Sequence, residues 1–508
     1  MLRQVKTENG WVRGIEAADP RITAFKGVPF AAPPVGKNRW RAPQPCENWA
    51  GVRDCSRFAP ISMQWIPGLG DDIYCREWHV DPEIPMGEDC LYLNVWTNAK
   101  KAGEKKPVLV WFFGGGLQCG YPAEMEFDGE RIARRGIVVV TVNYRVGALG
   151  FLTHPEITKE QPEAPANFGN LDQQAGLRWV QRNIAAFGGD PTKVTIAGQS
   201  AGGGSVMSQL ACPDNRGLFS NAVVMSAMIF DPYLRREVGR PEALCDAEKK
   251  GEEFFDFLGV KTLKEARAMD AVTLQRSYEK YMESHIPFFT VKDDLFCVGD
   301  PIALYRAGKC VDVTMMAGNT GGEFLNAIDA KDEAEMTAEA KRIFGDHAEK
   351  FLSIPESHVK TEGIGYGAAS GIECTVKGVL GDVAKDGRKG YCYCFDPDIP
   401  GWDSPGTFHS SDLWFWFETL AKCWRPFVGR HYDLARQMCD YFCNFIRTGD
   451  PNGKDLNGEK LPKWDAWSDK TPCTMRFTAN GAEPKTEALP PLKAFLQERI
   501  MDRMKLIK

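Results

Sequence analysis

The sequence predicts an α/β protein built around a large, mostly parallel sheet with helices on both faces. Short runs of apolar and β-branched residues alternate with longer amphipathic stretches along most of the 508 residues. The short runs are continuously apolar, which is typical of parallel strands buried on both faces. The sequence contains no internal repeat and no low-complexity tract. We therefore expect a doubly wound sheet with crossover helices and covering insertions.

Six strands are predicted from these runs, at residues 108–113, 137–141, 194–197, 222–226, 313–317 and 391–395. Between the second and third strands, Leu177, Val180 and Ile184 recur at helical spacing, which predicts a helix over residues 171–184. The following segment, 187–191, contains glycine and proline and is expected to end that helix.

Two segments fit the alternation less well. Residues 1–105 are rich in Pro, Trp and Gly, and residues of about 230–300 are charged and helical in character, especially 242–258 and 263–281. Neither segment is bounded by a Ser/Gly-rich linker. We therefore expect one domain over residues 1–508, with an N-terminal cover and a helical insertion over the functional face.

Composition excludes several classes of protein. The 62 Lys and Arg against 68 Asp and Glu give a net charge of −6, which argues against a nucleic-acid partner. No apolar run is long enough to span a membrane. The N-terminus carries no apolar segment of the kind a signal peptide needs, so a cytoplasmic location is expected unless a leader has been removed.

The 16 cysteines are too few for a disulfide-dense scaffold. Without an export signal, buried reduced thiols are the expected state. Cys392 and Cys394 share a predicted strand, and Cys439 and Cys443 share a predicted helix. Neither pair has a second pair at zinc-site spacing, so no metal is expected.

The segment Val194 to Gly202 carries the most informative motif. An apolar strand runs into G-x-S-x-G, with Ser200 at its centre, and then into small residues that open a helix. Glycines on both sides of a serine permit a tight strand-to-helix turn, which exposes the hydroxyl at the carboxyl edge of a sheet. The N–H of Ala201 would then lie at a helix N-terminus, where it can donate to a developing oxyanion. A chance match and a phosphate loop are the alternatives, but the sequence lacks the phosphate-loop pattern here.

A second motif, Gly114-Gly115-Gly116, follows the predicted strand that ends at Phe113. A glycine loop at this point can aim successive N–H groups at an oxyanion. A flexible turn is the alternative interpretation, and the position upstream of the serine motif favours the oxyanion hole.

The expected chain order on such a sheet is serine, then an acid, then histidine. Among the seven histidines, His409 is favoured because it follows the strand at 391–395 through a Pro/Gly/Ser-containing loop. Glu323 lies in a glycine-rich loop after the strand at 313–317. Asp312 and Asp329 are rival candidates for the acid.

Longer segments resemble the type-B carboxylesterase family, which includes cholinesterases and bacterial para-nitrobenzyl esterases. Residues 88–95 resemble one signature of that family, and residues 187–202 resemble its serine signature. Shorter matches lie at 143–145 and 449–452, and the likeness covers nearly the whole chain. The resemblance implies an α/β-hydrolase fold and a serine esterase that needs no cofactor.

The resemblance also implies roles for particular residues. Glu323 matches the acid of the family, and His409 matches the base in a G-x-x-H context. Gly115, Gly116 and Ala201 match its oxyanion donors. Together these residues would hydrolyse an ester through an acyl-enzyme.

Further matches and departures bear on the same site. Ser226 matches a serine that supports the acid in relatives, and secreted relatives pair cysteines at positions like Cys75 and Cys90. Many members carry histidine where this chain has Phe113, and glutamate where it has Gln199. The loss of that carboxylate predicts a weaker preference for cationic, choline-like esters.

The predicted function is therefore hydrolysis of a small-molecule carboxylic ester through Ser200, Glu323 and His409. Thioesterase, lactonase, amidase, dehydratase and hydroxycinnamoyl esterase activities could use the same residues, because pocket shape decides the substrate. A non-catalytic binding module is the alternative from another class, but such proteins usually lose a member of the triad, and all three residues are present here.

Overall fold

The computed structural model describes residues 1–233 and 240–506, which contain an eleven-stranded central sheet. In chain order its strands are β1 (Ile15–Glu16), β2 (Thr23–Pro29), β3 (Tyr92–Thr97), β4 (Lys106–Phe112), β5 (Val138–Val142), β6 (Gly189–Gln199), β7 (Asn221–Met225), β8 (Thr314–Thr320), β9 (Gly390–Phe395), β10 (Cys473–Thr478) and β11 (Gly481–Thr486).

The spatial order of the strands is β11-β10-β9-β8-β7-β6-β4-β5-β3-β2-β1. The pairs from β4 to β10 are parallel, whereas β1, β2 and β3 on one edge and β11 on the other pair antiparallel. The carboxyl ends of β6, β8 and β9 therefore meet at one edge of the sheet, with at most two strands between any two of them. The predicted parallel α/β sheet is confirmed.

All six predicted strands are present, as β4 to β9. The largest difference is at β6, which begins at Gly189, five residues before the apolar run at Val194. These early residues are mostly polar, and Gly189 pairs with Lys106 at the start of β4. The hydrophobicity of the sequence therefore does not predict that these residues belong to the strand.

The expectation that residues 1–105 only cover the domain is wrong for β1, β2 and β3, because these strands belong to the central sheet. They run antiparallel, and a search for alternating strands and crossover helices does not detect such strands. Part of the segment does lie outside this sheet, in a three-stranded sheet of Gln4–Lys6, Trp11–Arg13 and Val52–Asp54.

Sixteen α-helices lie in the described residues: α1 (Ile73–Glu77), α2 (Glu130–Arg134), α3 (Gly147–Phe151), α4 (Pro155–Glu160), α5 (Phe168–Asn183), α6 (Ala201–Ala211), α7 (Leu244–Leu258), α8 (Leu263–Ala268), α9 (Ala271–Met282), α10 (Pro301–Arg306), α11 (Glu333–Phe344), α12 (Ala348–Leu352), α13 (Gly371–Lys385), α14 (Leu413–Trp416), α15 (Gly429–Thr448) and α16 (Pro491–Leu506). Short strands Glu242–Ala243 with Val291–Lys292, and Leu325–Ile328 with Lys360–Thr361 and Gly365–Ser370, form two further sheets.

The helices of the predicted insertion are α7, α8 and α9. The predicted helix at 263–281 is divided in two, because Asp270 caps α9 by accepting a hydrogen bond from the N–H of Thr273 at 3.0 Å. Residues 234–239 of the predicted insertion lie outside the described part of the chain. The predicted helix at 171–184 is confirmed as α5.

The sheet is buried on both faces. In β4, Val108, Val110 and Phe112 join one hydrophobic core, and Leu109 and Trp111 join the other. The first core is completed by α5, α6 and α13, and the second by α15 and the helices of the insertion. Such two-sided burial explains why the strand sequences are continuously apolar.

A buried ion pair ties the loop after β5 to α5. Nε and Nη2 of Arg145 donate to the two carboxylate oxygens of Asp172, both at 2.7 Å, and the N–H of Arg145 adds a third bond at 3.0 Å. Both side chains are almost fully buried. The pair holds in place the segment that follows Tyr144. The hydroxyl of Tyr144 in turn donates to the carbonyl of Phe113, just before the glycine loop.

Asp172→Ala is expected to lower the free energy of unfolding by about 3–5 kcal/mol, because it leaves a buried guanidinium without its carboxylate. Denaturant titration measures the change. Asp246→Ala is the matched control, since it removes an exposed ion pair with Lys249 and should leave the midpoint unchanged. Equal midpoints for both variants would contradict a structural role for the buried pair.

Candidate active site

Ser200 lies between the end of β6 and the first residue of α6. Its backbone angles are φ +56° and ψ −126°, a conformation that residues other than glycine rarely adopt. Its N–H donates to the carbonyl of Met225, and its carbonyl accepts from the N–H of Gly204, each at 2.9 Å. The turn is therefore held by backbone bonds on both sides.

The flanking glycines are required by space. A Cβ on Gly198 would lie 2.3 Å from the carbonyl oxygen of Gly202, and a Cβ on Gly202 would lie 2.1 Å from that of Phe112. No side chain fits at either position. The G-x-S-x-G pattern is thus a consequence of how closely α6 approaches β4 and β6.

The glycine loop after β4 lies beside Ser200. A Cβ built on Gly114 would come within 3.2 Å of the Cβ of Ser200. Gly115 and Gly116 have φ of +105° and +62°, and neither N–H donates to another described residue. The N–H of Ala201, in the first turn of α6, has no intrahelical acceptor. These three amides are available to an oxyanion.

Two side chains that sequence reasoning did not assign hold this loop. The Tyr144 hydroxyl donates to the carbonyl of Phe113 at 2.7 Å, and the two rings stack with centroids 4.1 Å apart. The amide of Gln118 donates to the carbonyls of Gly116 and Phe288 at 3.2 and 2.8 Å. Tyr144 lies in the family-like segment 143–145, which could have pointed to it. No sequence pattern pointed to Gln118.

His409 and Glu323 are in contact at the carboxyl edge of the sheet. Nδ1 of His409 is hydrogen-bonded to a carboxylate oxygen of Glu323, and both side chains are buried. The other oxygen of Glu323 accepts from the N–H of Thr320 at 2.9 Å. A Cβ on Gly322 would lie 3.1 Å from the carbonyl oxygen of Thr407, so the loops that carry Glu323 and His409 pack together.

The rival acids lie elsewhere, because Asp312 and Asp329 are both exposed and neither is bonded to His409. Of the candidates considered from the sequence, only Glu323 contacts the histidine. The geometry therefore favours it over the two aspartates.

Gln199 fills the space beside the second nitrogen of His409. Its Nε2 lies 3.2 Å from His409 Nε2. Because the carboxylate of Glu323 accepts a hydrogen bond from the N–H at Nδ1, the neutral ring presents a lone pair at Nε2, to which the amide can donate. The described hydrogen bonds of His409 are to Glu323 and Gln199, and Ser200 is not among them. Catalytic hydrogen bonds commonly tighten only when substrate binds.

A second buried carboxyl, Asp412, lies close to the pair. The hydroxyl of Tyr393 and the indole N–H of Trp416 both donate to its Oδ2 at 3.0 Å. Burial, with a contribution from the negative charge of Glu323, raises the pKa of Asp412 to about 6. Sequence reasoning did not find this residue.

Ser226 is buried next to β8, and its N–H donates to the carbonyl of Gly318 at 2.8 Å. Its hydroxyl has no hydrogen-bond partner among the described residues. The contact with the acid that the resemblance implies is therefore not formed, and the supporting role of Ser226 stays a prediction.

The disulfide implied for Cys75 and Cys90 is absent, because both are free thiols. Cys75 lies in α1, where its Sγ is 3.5 Å from a carboxylate oxygen of Asp72, whereas Cys90 is buried in the core.

Within the described residues, no group of three or more His, Cys, Asp or Glu side chains could hold a metal ion. No helix there is long and apolar enough to cross a membrane.

A cavity of about 840 Å³ lies away from these residues, lined in part by Leu171, Arg178 and Cys212. None of the three triad candidates lines it. Burial raises the pKa of both cysteines that line it, Cys46 and Cys212, which is the opposite of what activates a thiol. Neither thiol is therefore activated as a nucleophile.

A parallel sheet of this order, with a serine in a strained strand-to-helix turn, defines an α/β hydrolase. The sequence model of the carboxylesterase family matches residues 2–363 and 368–491. The chain therefore belongs to the carboxylesterase family.

The chain is similar to a fumonisin B1 esterase from Sphingopyxis macrogoltabida, with 34% identity over 68% of this chain and 61% of that protein. It thus spans less than two thirds of the length of that relative. An acetylcholinesterase from Bungarus fasciatus is 29% identical over 95% of this chain and 83% of its own.

Solved structures show the same fold. The carboxylesterase EST55 of Geobacillus stearothermophilus superposes with a TM-score of 0.73 at 28% identity, covering 97% of this chain and 99% of that one. A PNB esterase superposes with a TM-score of 0.77 at 24% identity, covering 98% and 99%.

Asp412→Asn is expected to change how stability depends on pH. Because the folded state holds the proton of Asp412 more tightly than the unfolded chain, the contribution of Asp412 to the stability of the wild type falls as pH rises from about 4 to about 6. The variant keeps an acceptor for Tyr393 and Trp416 but carries no titrating group. Relative to the wild type, the free energy of unfolding of the variant should therefore rise by roughly 3 kcal/mol between the two ends of this pH window. At higher pH the difference should stay constant.

Denaturant titrations at a series of pH values measure this difference. The exposed Asp329→Asn serves as the control and should follow the wild type at every pH. A constant difference between Asp412→Asn and the wild type would show that Asp412 does not titrate in this window.

Proposed function

We propose that the chain is a serine carboxylesterase that hydrolyses small-molecule carboxylic esters through an acyl-enzyme on Ser200. The observation that carries the proposal is the arrangement of three parts around the end of β6. These parts are the strained serine turn, the glycine loop beside it and the buried histidine–glutamate pair next to Gln199. The similarity to carboxylesterases supports the same chemistry.

In the proposed reaction, His409 takes the proton of Ser200 while the serine oxygen attacks the ester carbonyl. Glu323 orients the imidazole and stabilises its protonated form, and itself stays ionised. The N–H groups of Gly115, Gly116 and Ala201 hold the oxyanion of the tetrahedral intermediate. His409 then gives the proton to the leaving alcohol, and a water molecule hydrolyses the acyl-enzyme by the same route.

Related acyl substrates remain alternatives within this mechanism, including thioesters, lactones and aryl or hydroxycinnamoyl esters. Fold and triad define the chemistry, whereas pocket shape defines the substrate. A p-nitrophenyl ester series with increasing acyl chain length, together with a panel of aryl esters, would order these substrates by kcat/KM. Nucleic acid and membrane partners are not needed for the reaction.

The organisation of the chain follows from the same proposal. Ser200, Glu323 and His409 follow three strands of one sheet, so the catalytic groups belong to one folding unit. We propose that residues 1–508 form a single domain. A cytoplasmic location stays a prediction.

Ser200→Ala is expected to leave the fold intact and to lower kcat for p-nitrophenyl acetate by at least about a thousandfold, because the acyl-enzyme cannot form. Steady-state hydrolysis and circular dichroism measure the two properties. Ser208→Ala is the matched control, since Ser208 lies two turns further along α6 and donates only to the carbonyl of Gly204. Hydrolysis by Ser200→Ala at the wild-type rate would refute the proposed nucleophile.

A choline ester and its neutral tert-butyl analogue are expected to be hydrolysed with similar kcat/KM, because Gln199 places no negative charge beside Ser200. Gln199→Glu should raise the choline-to-neutral ratio by about tenfold, since a carboxylate near a cation contributes roughly 1–2 kcal/mol in a partly solvated site.

The two esters share their acyl group, so general effects of Gln199→Glu on His409 cancel in the ratio. Gln209→Glu is not a suitable comparison because Gln209 is buried in hydrogen bonds with Asn170 and Asn215. The control is instead the wild-type enzyme assayed at high ionic strength. Its ratio of kcat/KM for the choline ester to kcat/KM for the tert-butyl ester should stay near one. A strong choline preference in the wild type would contradict the prediction.

A further inference from the structure

The guanidinium of Arg425 is buried beside the loop that leads to His409. Its side chain is only 1% exposed, and all three of its nitrogens donate hydrogen bonds. Nε donates to a carboxylate oxygen of Glu77 at 2.8 Å, and the two terminal nitrogens donate to the two carboxylate oxygens of Asp403 at 2.9 and 3.0 Å. One terminal nitrogen also donates to the carbonyl of Pro400 at 3.0 Å.

These bonds join segments that are distant in the chain. Glu77 is the last residue of α1, whereas Asp403 lies in the loop 396–408, between the end of β9 and the proposed base. The side chain of Glu77 is fully buried, and it accepts a further hydrogen bond from the indole N–H of Trp424 at 3.2 Å. Arg425 therefore ties the loop 396–408 to the end of α1.

The same guanidinium packs on the residue that precedes the base. The central carbon of the guanidinium lies 5.5 Å from the centroid of the Phe408 ring. That ring also stacks on Trp78, with centroids 6.4 Å apart and planes at 24°. A cation and an indole are both favourable neighbours for an aromatic ring. Because Phe408 and His409 share a peptide bond, a fixed Phe408 limits where the imidazole can lie.

The loop has little else to hold it in one conformation. Residues 396–408, all of them described, contain no helix or strand, and Ser404 and Gly406 have φ of +44° and +60°. Apolar side chains could fill the space of a buried ion pair at no greater cost in stability. The planar fork of a guanidinium adds what apolar packing lacks, since its paired bonds fix the orientation of a carboxylate.

We propose that Arg425 is a positioning residue of the reaction, which sets the place of His409 relative to Ser200. It acts through Asp403 and Phe408, and it touches neither the substrate nor the reacting atoms. The proposal rests on the serine esterase function proposed above.

The position of the imidazole is critical in this site. The described hydrogen bonds of His409 are to Glu323 and Gln199, so its Nε2 must still come within reach of the Ser200 hydroxyl. A displacement of about 1 Å from the reactive geometry can lower a rate by about a hundredfold. A loosened loop would therefore lower the rates of acylation and deacylation alike, because His409 acts in both steps.

Asp403→Asn tests the inference with little change of shape, because it removes the charge and one of the two acceptors that face Arg425. It should lower kcat for p-nitrophenyl acetate at least about tenfold and change KM less than about twofold, since both steps slow together. Arg425→Lys should act in the same direction, because an ammonium lacks the planar fork. If Arg425→Lys does not fold, Asp403→Asn decides.

Two control variants separate positioning from stability. Asp398→Asn changes the same loop, where Asp398 forms an exposed ion pair with Arg430, and it should leave kcat unchanged. Asp440→Asn weakens a buried ion pair with Arg135, whose atoms are 2.6 Å apart, on α15. It should lower the denaturant midpoint and leave kcat unchanged.

Proton NMR provides a measurement that does not depend on turnover. The N–H at Nδ1 of His409, hydrogen-bonded to Glu323, should resonate downfield of the backbone amides, and loss of the signal in His409→Gln assigns it. The resonance should shift or broaden in Asp403→Asn and Arg425→Lys, and it should stay in place in both control variants.

Three results would overturn the inference. They are an unchanged kcat in Asp403→Asn, a lowered kcat with an unchanged resonance, and an equal loss of kcat in Asp440→Asn, which would assign the effect to stability alone. Failure of the underlying function is distinguishable, because the wild type would then hydrolyse no ester, while a resonance that moves only in Asp403→Asn and Arg425→Lys would still show that Arg425 positions His409.

Discussion

The backbone between β6 and α6 has no room for a side chain on either side of Ser200, and the rest of the site is arranged around this turn. Gly198 and Gly202 approach neighbouring carbonyl oxygens so closely that any Cβ would overlap them. The close approach brings the N-terminus of α6 up to β4, and with it the glycine loop that follows β4. One steric constraint therefore exposes the serine and positions the amides that face it.

The proposed acid and the proposed base lie on loops, and buried contacts limit the motion of these loops. Glu323 is held by the N–H of Thr320 and by His409, and Phe408 packs under Trp78 next to the base. On the opposite side, Tyr144 holds the glycine loop through a carbonyl. A reaction that depends on preorganised donors needs this kind of support, because small displacements of the donors are costly.

Most of the fold could be predicted from the sequence. Apart from the polar start of β6, the parallel strands β4 to β9 are apolar, because both faces of the sheet are covered, and their apolar parts were predicted close to the observed bounds. The antiparallel strands β2 and β3 and the hairpin of β10 and β11 were missed, since they lie outside the alternation of strands and helices. The polar start of β6 was missed because backbone pairing, and not side-chain burial, makes it a strand.

The sequence by itself determined the serine turn, the glycine loop and the chain order of the proposed nucleophile, acid and base, because close packing demands specific residue types at fixed spacing. The residue pattern left three acids open until the family resemblance favoured Glu323, and the tertiary structure shows that this residue contacts His409. Only the tertiary structure placed Gln199 at the other nitrogen of that ring. It also left Cys75 and Cys90 unpaired. These outcomes depend on how distant loops pack at one edge of the sheet, and no local pattern of residues encodes that packing.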